Sequence, residues 1–195
     1  MTALDPLYLF VFAGLFSPGP NVILLTASGA RFGFRRTLPH VAGVVIGVGI
    51  IAGLAALGIG ALVLGHPGLA TLLRLLAACW ILWMAWKLLT ASRLPQGGAG
   101  DRPFTFVQAV LFQWVNPKVW AVALAAASGY GAGLGPFGEA LRLAGTFSGL
   151  NLAVCLFWSF AGTLLTLLLT SGRAWRLFMG GMSLMLAGSA GMVFL

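Results

Sequence analysis

The chain has 195 residues, of which 60% are hydrophobic and only 7% are charged, with a mean hydropathy of +1.02 and a formal net charge of +8. A soluble domain carries about a quarter charged residues, so this composition excludes a protein whose whole surface faces water and indicates a lipid bilayer as its surroundings. The basic excess does not indicate nucleic acid, because the basic residues lie at the ends of apolar runs, where membrane topology explains them.

The apolar runs are long and continuous rather than alternating, which favours membrane helices over the strands of a membrane barrel. About six spans of roughly 20 residues each fit these runs. In chain order the predicted spans run from about Pro6 to Gly29, Leu38 to Leu64, Leu69 to Thr90, Phe104 to Ser128, Ala140 to Leu169 and Ala174 to Leu195. We therefore predict an all-α membrane protein that forms a single transmembrane domain over residues 1–195. The N-terminal stretch MTALDPLYLF has an acidic residue and no basic region, so we expect a permanent first span rather than a cleaved signal.

The basic residues predict the orientation of the spans. Loops one, three and five and their flanks contain Arg31, Arg35, Arg36, Lys87, Arg93, Arg102, Arg173 and Arg176. The opposite side has Arg74 and Arg142 near span ends and no basic cluster. The positive-inside rule therefore places these three loops in the cytoplasm and both termini in the periplasm. The tryptophans at the predicted cytoplasmic end of span three either form an interfacial aromatic belt or pack within the protein; they are Trp80, Trp83 and Trp86.

Two spans contain helix-breaking motifs in matching places. Span one contains FSPGPN at residues 16–21, and span four contains FQWVNPKVW at residues 112–120. Proline interrupts a helix because it lacks the amide donor and its ring collides with the preceding turn. A second pattern common to both halves is Ala-Gly-x-x-x-Gly near the start of spans two and five. Its glycines are Gly43, Gly47, Gly145 and Gly149. Small residues four apart let membrane helices approach closely, either within one chain or between the two chains of a homodimer.

The matched breaks divide the sequence into two halves of three spans. An odd number of spans makes the second half enter the membrane from the opposite side, so we predict two inverted repeats, at about residues 1–92 and 104–195, joined by a cytoplasmic loop at about 92–103. Many secondary transporters have this architecture and bind their substrates near the bilayer midplane at discontinuous helices.

The breaks themselves predict a binding site for a zwitterion. Unpaired peptide groups in lipid cost several kcal/mol each, so a break must face protein or a water-filled cavity. The N-terminus of a half-helix attracts a carboxylate and the C-terminus attracts an ammonium group. The predicted substrate-binding residues at the two breaks are Pro18, Gly19, Pro20, Asn21, Gln113, Asn116, Pro117 and Lys118. The alternative is that the prolines only kink the two helices for packing.

Three further polar residues leave alternatives open. Lys118 is the only charged residue deep within a predicted span, and it either pairs with a substrate carboxylate or binds a carbonyl of the broken helix. Asn151 either contacts the substrate or makes an interhelical hydrogen bond. Since no acidic residue lies mid-span, proton coupling would use Lys118, His40 or the substrate's own amine; otherwise His40 is a structural residue at the interface.

No motif in the sequence predicts an enzyme, a metal site or a cofactor. Cys79 and Cys155 lie in apolar spans without CxxC spacing, which favours packing roles. No HxxxH, P-loop or nucleophile motif is present. A membrane redox or metal-ion handling protein with a similar paired-proline layout is the alternative. It needs reactive cysteines beside the breaks, and we expect both cysteines to lie away from them.

Three stretches, SPGPNVILL, GFRRTLPHVAG and FQWVNPKVW, resemble the LysE/RhtB family of amino-acid exporters in order and spacing, and the resemblance covers nearly the whole chain. It implies a bacterial inner-membrane efflux carrier for amino acids or close derivatives, driven by protons and working by alternating access. The family's two motifs would correspond to residues 18–20 and 116–118. Many members have an acidic residue after the first motif, where this chain has Asn21, which leaves the coupling ion open. Without a buried carboxylate, a cationic substrate is disfavoured, and nothing here separates the family's other substrates.

Overall fold

A computed structural model describes residues 5–59, 65–91 and 102–191, except for the side chains of residues 69 and 70. The described part contains eight helices and no strand, which confirms the all-α prediction. They are α1 (Pro6–Phe16), α2 (Pro20–Phe32), α3 (Phe34–Ala56), α4 (Pro67–Leu89), α5 (Phe106–Trp114), α6 (Pro117–Gly129), α7 (Pro136–Leu165) and α8 (Gly172–Gly191).

The first and fourth predicted spans are each broken into two helices, as their proline motifs predicted. The axis bends by 57° between α1 and α2 and by 63° between α5 and α6. Gly19 and Asn116 precede the two second halves with extended backbones, and a proline follows each of them at the first helical position. This is the position at which proline costs a helix nothing, because its missing amide would have no partner there. Pro20 and Pro117 therefore begin the second half of each broken span.

The described residues hold fewer candidate spans than the predicted six. Three helices are long and apolar enough to cross a membrane, namely α3, the Thr71–Leu89 part of α4, and α7, and each bent pair can add one more, for up to five. The sixth predicted span is represented by α8, which is not among these helices. Its first turns contain Arg173 and Arg176, and glycines interrupt its apolar face, so its composition is less apolar than the prediction assumed. Residues 192–195, the end of that prediction, lie outside the described part.

Helix α3 is central and packs against α5, α6 and α7, while α4 and α8 form a pair that contacts α2. The first glycine pattern lies at one of these contacts. A Cβ atom on Gly47 would lie 2.6 Å from Cγ of Gln113, and one on Gly43 would collide with the carbonyl of Phe106. The sequence therefore permits α3 to approach α5 more closely than larger side chains would allow.

The second glycine pattern does not make such a contact within the chain. A Cβ atom on Gly145 or Gly149 would meet nothing within 4 Å, and both residues are exposed. Of the two alternatives left open for these glycines, the structure does not show packing within one chain, because α7 turns this face outward. Its close approach to α2 is made instead at Gly162, whose Cβ would collide with the carbonyl of Thr26.

The two ends of the bundle differ in charge. At one end Arg142 pairs with Asp5 at 3.3 Å and with Glu139 at 3.2 Å, and it also donates to the carbonyl of Tyr130. These contacts join α1, the turn before α7 and α7 itself. The opposite end, where α2 and α4 end and α3 and α5 begin, contains the basic residues Arg31, Lys87 and Arg102 around one cavity. We call it the basic end.

Candidate functional site

A small cavity lies between the two helix breaks and the middle of α7. Its volume is about 20 Å³, which is room for about one water molecule. Both breaks and α7 contribute to its wall, which includes Gly19, Asn21, Asn116, Lys118, Asn151, Cys155 and Trp158. The cavity is too small for any amino acid, so these side chains must separate before a solute of that size can bind between them.

Two helix N-termini meet at this cavity. Neither the N-terminus of α2 nor that of α6 is capped by a side chain. The first amides of a helix lack partners within the helix, and the residues concerned, Asn21 and Val22 in α2 and Lys118 and Val119 in α6, all line the cavity. Aligned peptide dipoles add partial positive charge at both termini. This part of the wall therefore favours an anionic group such as a carboxylate.

Lys118 bridges the two breaks. Its ammonium group donates to the carbonyl of Ser17 and, at 3.3 Å, to the carbonyl of Pro18. Both carbonyls follow the C-terminus of α1, where the helix dipole favours a cation. Lys118 thus makes the backbone contact that was left open as the alternative to a substrate contact. It also occupies the position at which the sequence predicted a substrate ammonium.

Residue 19 must be a glycine because the Lys118 side chain leaves no room for a Cβ atom, and not because of its backbone conformation. Its extended conformation (φ −177°) is open to any residue, but a Cβ atom there would lie 2.6 Å from Cδ and 3.0 Å from Nζ of Lys118. The lysine side chain therefore crosses the first break directly over the glycine.

An amide pair also joins the breaks. Nδ2 of Asn21 donates to Oε1 of Gln113 at 2.9 Å, and Nε2 of Gln113 donates to Oδ1 of Asn21 at 3.2 Å and to the carbonyl of Ala109 at 2.9 Å. Asn116 donates to the same Gln113 oxygen at 3.4 Å. Gln113 is fully buried and does not line the cavity. It therefore positions the two asparagines rather than presenting a group to a solute.

Three buried polar atoms in the cavity wall have no hydrogen-bond partner. They are Oδ1 of Asn116, Nδ2 of Asn151 and Nε1 of Trp158. A buried polar group left without a partner costs about 1–3 kcal/mol, so natural proteins rarely keep one without a reason. One acceptor and two donors around the same small volume indicate a place where a polar solute or water completes the hydrogen bonding.

The cavity includes some of the predicted residues and excludes others. Gly19, Asn21, Asn116, Lys118 and Asn151 line it, whereas the three prolines of the motifs do not, and Pro18 is exposed. The predicted alternative for Asn151, an interhelical hydrogen bond, does not account for its unpartnered Nδ2 atom.

Two of the wall residues named above were not predicted from the sequence. Trp158 and Cys155 follow Asn151 by seven and four residues, which places all three on one face of α7. That spacing is the signal that could have identified them. The expectation that Cys155 lies away from the breaks is wrong, since it is buried and lines the cavity between them. Cys79 is exposed on α4.

Comparison with known proteins identifies relatives of this chain. The family model described as LysE type translocator matches residues 12–195, and this match confirms the resemblance stated above. Proteins named cysteine/O-acetylserine efflux protein from Escherichia coli (strain K12), Escherichia coli O1:K1 and Shigella sonnei (strain Ss046) are each 33% identical to it over 119 residues. The matched segment covers 60% of this chain and 60% of each relative. No solved structure matches the chain.

Proposed function

The chain belongs to the LysE type translocator family, and from this premise we propose that it is a secondary-active carrier that exports an amino acid or a close derivative across the bacterial inner membrane. The members of this family are transporters rather than enzymes, and the curated relatives are named as efflux proteins for cysteine and O-acetylserine. The observation that carries the proposal is the cavity between the breaks, where two uncapped helix N-termini and three unpartnered buried polar atoms meet beside Lys118.

The contacts of Lys118 suggest how a zwitterion binds. A carboxylate entering the cavity meets the free amides of α2 and α6 and attracts the Lys118 ammonium group away from the carbonyls of Ser17 and Pro18. Those carbonyls then accept hydrogen bonds from the ammonium group of the solute. Each charged group exchanges one partner for another, so no buried charge is left unpaired. The solute therefore replaces a contact that already holds the two breaks together, and its binding loosens them.

The proposed architecture is the one expected from the sequence: six spans in two inverted repeats, with alternating access by rocking of one repeat against the other. The two breaks at matching positions support this arrangement. The cluster of basic residues at the basic end, in contrast to the paired Arg142 at the other end, supports cytoplasmic loops at the basic end and periplasmic termini. The outward face of α7 at Gly145 and Gly149 would serve a homodimer. Protons are the proposed coupling ion. Among the described residues no carboxylate lines the cavity, so Lys118 or the solute amine would carry the proton.

Transport into everted membrane vesicles tests the proposal. Vesicles from cells expressing the protein receive a panel of labelled amino acids, beginning with cysteine and O-acetylserine, with and without an imposed pH gradient. We expect saturable uptake of at least one solute, strengthened by the gradient that drives protons outward. Vesicles without the protein are the control. Uptake that equals this control for every solute would contradict export.

The position of Cys155 keeps the redox alternative worth testing. A thiol does line the cavity, but Cys79 is exposed on another helix, and the described residues contain no group of three side chains able to hold a metal ion. Cys155→Ala separates the two functions. A carrier retains export in this variant, whereas a thiol-dependent protein loses its activity while Cys79→Ala, the matched control, keeps it.

A further inference from the structure

A second cavity, of about 220 Å³, lies at the basic end of the bundle. We call it the basic vestibule. It is bounded by α2, α3, α4, α5 and α8, and its polar wall is formed by Ser28, Arg31, His40, Lys87, Arg102 and Gln108. It is far larger than the cavity between the breaks and somewhat smaller than the 300–1,000 Å³ typical of sites for drug-sized ligands. Its size therefore suits a small solute.

The described lining of the vestibule is positively charged. The described residues that line it include three basic side chains and no acidic one. Aromatic rings hold two of these cations, because Nζ of Lys87 lies 4.0 Å from the Trp83 ring centre and the Arg31 guanidinium lies 5.0 Å from that of Phe32. Charges of one sign around a concave, partly apolar surface focus their field and attract anions into it.

The floor of the vestibule has an unsatisfied polar group. His40 is only 2% exposed and packs against the ring of Phe104 at 5.1 Å, yet neither of its ring nitrogens has a hydrogen-bond partner. The rim, by contrast, consists of exposed Lys87, Arg102 and Gln108. The exposed cations of the rim attract a carboxylate, and the buried imidazole of His40 can then donate a hydrogen bond to it.

The helices of the vestibule lead to the cavity between the breaks. Leu24 and Ser28 of α2 line the vestibule, and the first turn of the same helix, at the first break, contains Asn21. Gln108 of α5 also lines it, and this helix reaches Gln113, which is hydrogen-bonded to Asn21. The two walls of the vestibule therefore end at the amide pair that joins the breaks.

We propose that the basic vestibule is a second binding site, which takes a small organic carboxylate, the exported solute itself, before it reaches the cavity between the breaks. The apolar body of the solute lies against Trp80, Met84 and Phe104, and its carboxylate lies between the rim cations and His40. This inference rests on the proposed export function for the identity of the solute, whereas the anion site itself does not depend on transport. A lipid phosphate shares the chemistry of the anion and is separated from the solute by the test.

Quenching of tryptophan fluorescence tests the site directly, since Trp80 and Trp83 line it. The purified full chain in phosphatidylcholine nanodiscs is titrated with 4-bromobenzoate, a heavy-atom quencher with an apolar body and one carboxylate. The matched uncharged probe is 4-bromobenzyl alcohol. We expect saturable quenching by the carboxylate and only linear, unsaturated quenching by the alcohol. Equal behaviour of the two probes would overturn the proposal.

Variants at the rim assign the binding to the vestibule without disturbing the core. Replacing Lys87 and Arg102 together by glutamine should weaken 4-bromobenzoate binding at least tenfold, because two charge-assisted contacts are lost. Arg74→Gln, which removes an exposed cation of α4 outside the vestibule, should leave binding unchanged. His40→Gln retains a donor and should weaken binding less than His40→Leu, with size-exclusion profiles checking that each variant is folded. Unchanged binding in the rim variant would refute the site.

Two further measurements show whether the vestibule binds the solute or a lipid. They also separate a failure of this inference from a failure of the proposed function. The solute identified by the vesicle panel should displace 4-bromobenzoate, and the rim variant should raise its transport KM several-fold while leaving the maximal rate nearly unchanged. If phosphatidylglycerol nanodiscs abolish 4-bromobenzoate binding and the solute does not displace it, the vestibule is a lipid site and the proposal fails. If no solute is transported but rim-dependent binding of 4-bromobenzoate persists, the proposed function fails and the anion site stands.

Discussion

Replacing Lys118 by methionine removes one charge from the centre of the protein while keeping most of the side-chain volume. In the native structure this ammonium group donates to the carbonyls of Ser17 and Pro18 and so connects α6 with the end of α1. The methionine variant leaves both carbonyls without this donor. We expect it to reduce export and to lower the stability of the connection between the two breaks.

The magnitude follows from the number and type of the lost contacts. A hydrogen bond to a charged group contributes about 1.5–3 kcal/mol, and since Lys118 is only half-buried, we expect about 1–2 kcal/mol of lost stability. The proposed contact with a solute carboxylate is of the same type but more desolvated. Losing it should reduce transport efficiency roughly 10- to 150-fold, taking about 1.4 kcal/mol for each factor of ten.

Gly19→Ala makes the same test without changing any charge. Its added Cβ would lie 2.6 Å from Cδ of Lys118, so the lysine must leave the carbonyls, although the extended backbone at residue 19 accepts alanine without strain. Gly68→Ala is the matched control, because a Cβ there meets nothing within 4 Å.

The measurements are initial uptake rates in everted vesicles at matched expression and thermal unfolding midpoints in detergent. Lys118→Met and Gly19→Ala should both reduce export, with Gly68→Ala unaffected. Export at the wild-type rate in the methionine variant would refute the role assigned to this lysine.

Three other outcomes follow from single contacts. Asn151→Leu should abolish most export but leave the unfolding midpoint unchanged or higher. The variant breaks no hydrogen bond of Nδ2, because this atom has no partner in the native structure. A lower midpoint would contradict this reasoning. Gly47→Ala should destabilise the protein by about 1–3 kcal/mol through overpacking against Gln113, whereas Gly149→Ala, which meets no atom within 4 Å, should not change the stability of the monomer. Cys155→Ala should retain export at a rate within about twofold of wild type, since this thiol fills space, and a complete loss would favour thiol chemistry.

The helix breaks could be predicted from the sequence because proline acts on its own local backbone. A missing amide and a ring that collides with the preceding turn interrupt a helix wherever the chain places them. The two breaks therefore lie where the motifs predicted, and their residues Asn21 and Asn116 do line one cavity. The number of spans was less predictable. Arginines and glycines lower the mean hydropathy of α8, and a count of spans based on length does not take them into account.

The partners of the site residues were not predictable, because they depend on which face each helix turns toward its neighbours. The carbonyls that accept hydrogen bonds from Lys118 lie about 100 residues earlier in the chain. No local sequence pattern identifies them as its partners. The same holds for α7, whose inward face carries Asn151, Cys155 and Trp158 while Gly145 and Gly149 face outward. A motif of small residues indicates that close packing is possible and not which helix will use it.

The sequence by itself determined that this chain is a helical membrane protein of an exporter family with two interrupted helices, since composition, local proline sterics and motif order need no knowledge of distant contacts. Only the tertiary structure decided that the two interruptions share one cavity, that Lys118 bridges them and that a basic vestibule lies at the basic end of the bundle. Those features arise from the packing of helices far apart in the chain, and packing is set by the mutual fit of whole surfaces rather than by any one segment.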